Sequence, residues 1–503
     1  MSITFSEVDP NSRASQIFIE LMAKRRSVSG NYLTPTALII GQYNQALAAG
    51  ITDYVPVKVT TADELGQLSG FGSEAHRLGI RLFTLLGGFS DGVWWCPVDS
   101  PGGTQASETV TFATTATSAG TYFFSIAGDL VTVNVASGDT ADDVGEKLEA
   151  AITAKQNLPV NAANVSGTVT LTAKNDGTNG NEILVVSNPG GQTQANQNPA
   201  SMTVAISGSG GYLGSGAGAV DIHDVFFNSD ESEKLGNRFY TIIVCPYVDA
   251  TNLGYLDDSW NARKAPGVKR PFDAFIGYVK STYSQALAIP ATINSEGIST
   301  VWDPRSLAPS YELAAAAAGI MMWSNTFDPG RPPKTLPIGI PFDTFTADLA
   351  YSYNDALFRA GIGYFKGDTG ELLVGDLALS YRTSGTGGES SAWFDSISMH
   401  RRQQKIYEIE QLFLAEPYSR GVVADDTSIS DKPYVIKPKK VVADICALVD
   451  SWAAEGWTKN AAAVKASVTA EINSTDNSRI DSTVTDDEAL ALRIIGVLYN
   501  FLY

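Results

Sequence analysis

The sequence is poor in the residues that build disulfides, metal sites and nucleic-acid surfaces. Its 503 residues include three cysteines and three histidines, and 35 Lys and Arg stand against 54 Asp and Glu, a formal net charge of −19. The cysteines lie far apart in apolar surroundings, so we expect free buried thiols rather than disulfides or metal ligands. Phosphate backbones require clustered Lys and Arg, so the charge argues against a nucleic-acid partner.

Long apolar runs and catalytic motifs are also missing. No stretch is long enough to span a bilayer, and Glu7 and Asp9 stand where a signal peptide would have its apolar core. We therefore expect no membrane insertion and no export by the chain's own signal. The patterns GxSxG, HExxH, Walker A and EF-hand do not occur, so the sequence predicts no enzyme activity, no cofactor and no metal site.

Strand patterns and helix patterns alternate in two blocks of the chain. The predicted strands are 35–41, 238–244, 272–278 and 298–302, and the predicted helices are 63–68, 75–86, 251–265 and 311–324, the last with Ser310 as its N-cap. This alternation predicts an α/β core whose parallel or mixed sheet is covered by helices on both faces. We assign residues 25–100 and 217–395 to this core domain.

Residues 101–216 separate the two blocks and have a different composition, rich in Thr, Ser, Ala, Gly and Asn. Short alternating runs predict strands at 109–112, 121–126, 130–135, 169–173 and 183–186, with one helix at 141–154 capped by Asp139 or Thr140. The stretch is therefore interpreted as an inserted, mainly β domain on the outside of the core. The run 208–214 is glycine-rich and has no Lys, so it is interpreted as a flexible joint rather than a phosphate loop.

A compact α+β C-terminal domain is predicted over residues 396–490, with helices at 397–414, 441–457 and 460–472. Between residues 432 and 470 six lysines stand against three acidic residues, in a chain that is acidic overall. Two interpretations stay open for these lysines, a surface that faces an acidic partner and an ordinary solvated helix surface.

Both ends of the chain have the pattern of a short hydrophobic strand. The first covers residues 16–21, within an arm at 1–24, and the second covers residues 492–503, within an arm at 491–503. A strand at a terminus leaves one edge open, and that edge must be covered by its own fold or by another molecule. From these segments alone, pairing within the same fold is the simpler interpretation.

The order of several local strings resembles the contractile-tail sheath proteins of tailed phages, especially the Mu-like branch, over nearly the whole chain. The strings are Ile17-Phe18-Ile19-Glu20, 136–141, 167–173, Ser310-Tyr311-Glu312 with 314–319, 328–332, 336–337, 354–362, and Arg479-Ile480-Asp481 with 492–495. No single string identifies the family, but their order does.

The resemblance implies a structural subunit that polymerises as a helical sheath, in stacked hexameric rings, around a tail tube and contracts to drive the tube through the host envelope. It also implies that the terminal arms add strands to the C-terminal domains of neighbouring copies, which changes the preferred interpretation to pairing between molecules. The candidate intersubunit residues are Ile17, Phe18, Ile19, Glu20, Leu492, Ile494, Ile495, Val497, Leu498, Tyr499 and Phe501.

The resemblance further implies contact with the tail tube, with baseplate and tail terminator proteins, and a place in the virion tail after assembly in the host cytoplasm. The candidate tube-facing residues are Lys437, Lys439, Lys440, Lys459 and Lys465. Two other classes remain as alternatives, namely a host-surface adhesin or virion decoration protein, suggested by the β-rich insertion, and a cell-envelope hydrolase, for which no nucleophile, acid pair or metal site is visible.

Overall fold

The computed structural model describes residues 32–87, 91–189, 201–278, 282–344, 346–368 and 370–499. The predicted N-terminal strand, with Ile17, Phe18, Ile19 and Glu20, lies outside the described residues, as does Phe501.

The strands are β1 (Ala37–Gln42), β2 (Val57–Lys58), β3 (Val93–Val98), β4 (Gln105–Ala113), β5 (Gly120–Ile126), β6 (Asp129–Val135), β7 (Val160–Val165), β8 (Thr168–Asp176), β9 (Val185–Ser187), β10 (Thr203–Ile206), β11 (Ile242–Val244), β12 (Asp273–Tyr278), β13 (Ile298–Trp302), β14 (Ile362–Asp368), β15 (Glu371–Asp376), β16 (Val422–Val423), β17 (Val435–Ile436), β18 (Thr469–Ile472) and β19 (Ile480–Thr483). The helices are α1 (Ala62–Ser69), α2 (Glu74–Leu86), α3 (Ala141–Ala154), α4 (His223–Phe226), α5 (Ala250–Lys264), α6 (Tyr283–Ile293), α7 (Ser310–Phe327), α8 (Tyr351–Ala360), α9 (Ser396–Leu414), α10 (Pro438–Ala454) and α11 (Ala461–Ser467).

An eight-stranded sheet in the order β15-β14-β13-β12-β11-β1-β3-β2 contains strands from both predicted core blocks. The strands from β14 to β3 run parallel, and the edge strands β15 and β2 pair antiparallel. Every residue of β1 is buried, which explains its unbroken apolar sequence, because a central parallel strand is covered on both faces. The predicted α/β fold class is confirmed.

Side chains of β1 alternate between two hydrophobic clusters, one on each face of the sheet. Ala37 and Ile39 pack in the cluster that contains α2 and α7 residues. Leu38 and Ile40 pack in the cluster that contains α5 residues and Met399 of α9. Because successive side chains of a strand point to opposite faces, helices cover the sheet on both sides, as the sequence predicts.

Helix α7 lies close against β12, and its start corrects one prediction. A Cβ atom on Gly277 of β12 would stand 2.1 Å from the Ser310 carbonyl oxygen, so only glycine fits there. Ser310 is the first helical residue and not the N-cap, which is Pro309. Proline has no side-chain acceptor, and the Ser310 backbone N–H instead donates to Glu182 Oε2 at 3.0 Å. A residue distant in sequence therefore takes the role predicted for Ser310.

Residues 105–189 and 201–206 contain two small antiparallel sheets, β10-β4-β8-β7 and β6-β5-β9, with α3 packed against them around a separate hydrophobic cluster. Helix α3 has the predicted bounds, and its N-cap is Thr140, in a capping box with Asp143. Strands β7 and β10 were not predicted. The run 208–214 forms bridges from Gly214 to Ser107 and from Tyr212 to Leu184, so it is tied to the small sheets rather than being the free joint that was predicted.

The C-terminal part contains α9 to α11 and two short sheets, β16-β17 and β18-β19. The helix predicted over 460–472 is wrong in its second half, where α11 ends at Ser467 and β18 begins at Thr469. The β-branched residues Val468, Thr469 and Ile472 favour a strand, and β18 finds a partner in β19. Only Ile242–Val244 of the strand predicted over 238–244 is extended in the sheet.

Candidate functional site

The C-terminal segment runs along the protein surface with its apolar side chains in solvent. The Ala489 N–H donates to the Trp457 carbonyl at 3.0 Å. Beyond it, seven apolar side chains are 61 to 86% exposed, namely Leu490, Leu492, Ile494, Ile495, Val497, Leu498 and Tyr499. An exposed apolar stretch of this length marks a surface that another molecule covers.

These residues form no strand within the described chain. The structure assigns no regular element to residues 489–499, although their sequence pattern is that of a strand. The interpretation that the C-terminal strand pairs inside its own fold is therefore not realised over residues 492–499. Pairing with a strand of another copy would give the segment both backbone partners and cover for its side chains.

The β18–β19 hairpin offers edges of the kind such a segment needs. Thr469 pairs with Thr483 and Ile472 with Ile480, and within the described residues each of the two strands pairs only with the other. One face of the hairpin packs on α10, with Ala470 and Ile480 against a cluster that includes Ile445. A two-stranded sheet is only marginally stable by itself in water. This hairpin is therefore an incomplete sheet that an added strand would stabilise.

The five candidate lysines all contact acceptors within their own chain. Lys437 Nζ donates to the Ser428 carbonyl at 2.7 Å, and Lys439 Nζ to the Asp426 carbonyl at 3.2 Å. The remaining three form ion pairs, Lys440 with Asp444 at 2.8 Å, Lys459 with Asp487 at 3.7 Å and Lys465 with Asp450 at 2.6 Å. These carboxylates offset part of the positive charge, so the lysines are a less concentrated basic surface than the sequence suggests.

The three histidines have different surroundings. His76 is buried against Phe71, and burial together with Arg77 lowers its pKa to about 4. His223 is flanked by Asp224 and Glu231, whose hydrogen bonds raise its pKa, and the buried His400 lies beside Asp273. Over the described ranges, no group of three or more His, Cys, Asp or Glu side chains is arranged to hold a metal ion. No helix in those ranges has the length and apolar character to cross a membrane.

Sequence reasoning missed two arginines that join distant parts of the chain. Arg77 of α2 contacts Glu312, 235 positions away, and Arg493 of the C-terminal segment contacts Asp376, 117 positions away. No local pattern could reveal either pair, because a salt bridge at such separation depends on the fold.

The sequence is similar to that of a prophage tail sheath protein. The chain is 26% identical over 457 residues to the Mu-like prophage FluMu tail sheath protein of Haemophilus influenzae, with 89% of each chain covered. No protein-family model matches it. Among solved structures, the sheath tail protein of Desulfitobacterium hafniense matches with a TM-score of 0.46 and 11% identity, covering 94% of this chain and 100% of that one. The sheath tail protein of Listeria innocua matches with a TM-score of 0.46 and 11% identity, covering 90% and 94%.

Proposed function

We propose that this chain, a homologue of a Mu-like prophage tail sheath protein, is the structural subunit of a contractile tail sheath. Copies polymerise as a helical array around a tail tube, and the array contracts to drive the tube through the host envelope. The protein acts mechanically and not as an enzyme. Its place is the virion tail, assembled in the host cytoplasm, with tube, baseplate and tail terminator proteins as partners.

The observation that supports this function best is that one molecule has both an uncovered strand-like segment and an incomplete sheet. Residues 494–499 present apolar side chains to solvent, and the β18–β19 hairpin has open edges. A segment of one copy that completes the hairpin of the next makes a heterologous contact. Where the rotation between successive copies does not close a ring, such contacts generate an open helical polymer.

Contraction needs no nucleotide in this scheme. Subunits move as rigid bodies from a metastable extended array to a more stable compact one, while the exchanged strands keep neighbours connected. The N-terminal strand residues, from Ile17 to Glu20, are proposed to act in the same way as the C-terminal ones.

Electron microscopy of the purified protein tests the proposal. We expect long hollow cylinders from the wild type and none from a chain that stops after Arg493. A single substitution is a more specific test than this truncation. V497P removes one backbone N–H from the added strand, whereas V497T keeps that N–H and a β-branched side chain. Cylinders should be lost in V497P and retained in V497T. Discrete monomers or trimers of the wild type would contradict the proposal.

Contact of the lysine-rich surface with the tube is a separate proposal. Changing Lys437, Lys439 and Lys440 together to glutamine should weaken the association of sheath with tube, measured by co-sedimentation at several salt concentrations. The change K58Q serves as a control, because Lys58 of β2 is also exposed and paired with an aspartate but lies outside the lysine-rich surface. If the triple variant sediments with the tube as the wild type does, these lysines have no role there.

A further inference from the structure

Arg493 is the point where the exposed C-terminal segment joins the rest of the molecule. Its side chain is only 20% exposed, between apolar neighbours that face solvent. Arg493 Nε lies 2.9 Å from Asp376 Oδ2, and Nη2 lies 2.7 Å from Asp395 Oδ2. The guanidinium carbon lies 4.8 Å from the ring centre of Phe358 and 5.4 Å from that of Phe394. One side chain therefore makes two ion pairs and two cation–π contacts.

The two carboxylates belong to the framework of the central sheet. Asp376 is the last residue of β15, and Asp395 is the N-cap of α9, whose Oδ1 accepts from the Ser398 N–H at 2.6 Å. Both side chains are at most 5% exposed. Lys334 Nζ lies 3.0 Å from Asp376 Oδ2 and donates to the Leu492 carbonyl at 3.2 Å. Two cations thus balance two buried anions, as buried charges require.

We propose that Arg493 is the anchor of the C-terminal arm, through which a load from a neighbouring copy passes into the central sheet and α9. This inference rests on the proposed sheath function, because the load comes from strand exchange. Asp376 and Asp395 are the positioning partners of Arg493, and together with Lys334 these residues are called the clamp below. A planar guanidinium that holds two carboxylates fixes direction as well as position, which a lysine ammonium cannot do equally well.

The position of the clamp in the sequence supports this role. On its N-terminal side, contacts such as Arg401 Nη1 with the Ala489 carbonyl hold the chain on the surface. On its C-terminal side begin the exposed residues 494–499. A pull on those residues therefore reaches the clamp before it reaches the β18–β19 hairpin of the same molecule. The hairpin is then free to hold the arm of another copy while its own arm is under load.

Native-state proteolysis of the unassembled protein tests the clamp without any polymer. Chymotrypsin needs an extended backbone, so cleavage after Leu492 requires Arg493 to leave its partners, whereas cleavage after Tyr499 does not. In R493Q we expect cleavage after Leu492 to rise by about tenfold or more, because two hydrogen bonds to charged groups are lost and the rate follows the open population. The rate after Tyr499 should stay the same.

Three further variants separate anchoring from general instability. R493K should give an intermediate rate, because it keeps the charge and loses the planar fork. D395N should open the clamp while preserving the helix cap, since asparagine caps as well as aspartate. R359Q removes the exposed pair of Arg359 with Asp355 and should change nothing. R359Q should keep the unfolding midpoint of the wild type. The three clamp variants are digested without urea, where each is folded, so that a rise confined to cleavage after Leu492 reports opening of the clamp and not global unfolding.

Assembled cylinders test the mechanical part. R493Q should still polymerise, because the arm sequence is intact, but its cylinders should break to shorter lengths than those of the wild type under the same shear. Equal cleavage after Leu492 in R493Q, D395N and wild type would overturn the clamp, and so would equal cylinder lengths. A wild type that forms no cylinders would instead refute the sheath function, while the cleavage rates would still decide whether the clamp exists.

Discussion

Replacing Arg77 by methionine should destabilise the protein more than any other single change at the junction of the central sheet and the β-rich insertion. Arg77 is 1% exposed, and Nε lies 2.7 Å from Glu312 Oε1. Its Nη2 donates to the Ala127 carbonyl at 3.1 Å, and its Nη1 to the Asn157 carbonyl at 3.2 Å and to Asp129. The substitution would remove all these contacts and leave much of the aliphatic packing.

The expected loss follows from what remains buried. Glu312 is 0% exposed, and among the described residues its remaining cationic partner is Arg81, whose Nε lies 2.5 Å from Glu312 Oε2. Breaking a buried ion pair by removing one partner costs about 3–5 kcal/mol. Because Arg81 still pairs with Glu312, we expect a loss near the lower end, about 3 kcal/mol. Burial acts to lower the pKa of Arg77, and the charges of Glu312 and Asp129 outweigh burial, so that pKa is raised. The native state thus favours the charged form.

Urea denaturation measures the loss, and hydrogen exchange locates it. R77M should lower the free energy of unfolding by about 3 kcal/mol and expose the amides around Ala127 and Asn157 before those of the central sheet. The double variant R77M/E312Q should recover part of the loss, because a neutral amide replaces the buried carboxylate that R77M leaves with one of its two arginine partners. The surface change R359M is the control, and it should lower the free energy of unfolding by at most about 1 kcal/mol. A loss below about 1 kcal/mol in R77M would refute this reasoning.

Two further predictions concern titration. Burial raises the pKa of Cys96 and of Cys245 to about 12, whereas Cys446 is only partly buried. At pH 8 in native buffer, a thiol reagent should therefore modify Cys446. It should modify Cys96 and Cys245 only after denaturant is added. Burial acts to raise the pKa of Asp395, but the charge and hydrogen bonds of its arginine partner hold it below the ordinary value of 3.8. Its contribution to stability is therefore present above that value and lost as pH falls further, so urea midpoints of the wild type should converge with those of D395N only below about pH 4.

The central sheet could be predicted from the sequence because its signals are local. The predicted strands at 35–41 and 298–302 match β1 and β13, the first to within two residues, and helix α3 has the capping box that marks its start. Each of these elements is specified by its own residues and their spacing. The prediction of helices on both faces followed from alternation alone.

The remaining features depend on contacts between distant residues. Nothing near Ser310 shows that Glu182 will accept its backbone N–H, and nothing near Arg493 shows that two buried aspartates await it. The sequence pattern predicts a helix through Thr469–Ile472 because the alanines before it dominate, and the partner that makes this segment a strand lies eight or more residues further on. The domain boundaries, the intersubunit residues and the tube-facing lysines stay predictions.

A subunit that passes force to its neighbours must be rigid within itself and connected through short segments. The Arg77 contacts tie the insertion to the central sheet, and the Arg493 clamp ties the arm to the same sheet. The ten residues 494–503 could span at most about 33 Å when extended, and matching the four residues of β18 takes about 13 Å of that length. At most about six residues, or 20 Å, then lie between clamp and neighbour. Such a short connection allows one copy to turn against the next but not to separate from it, so contraction through these arms would be rotation and sliding of whole subunits rather than stretching of linkers.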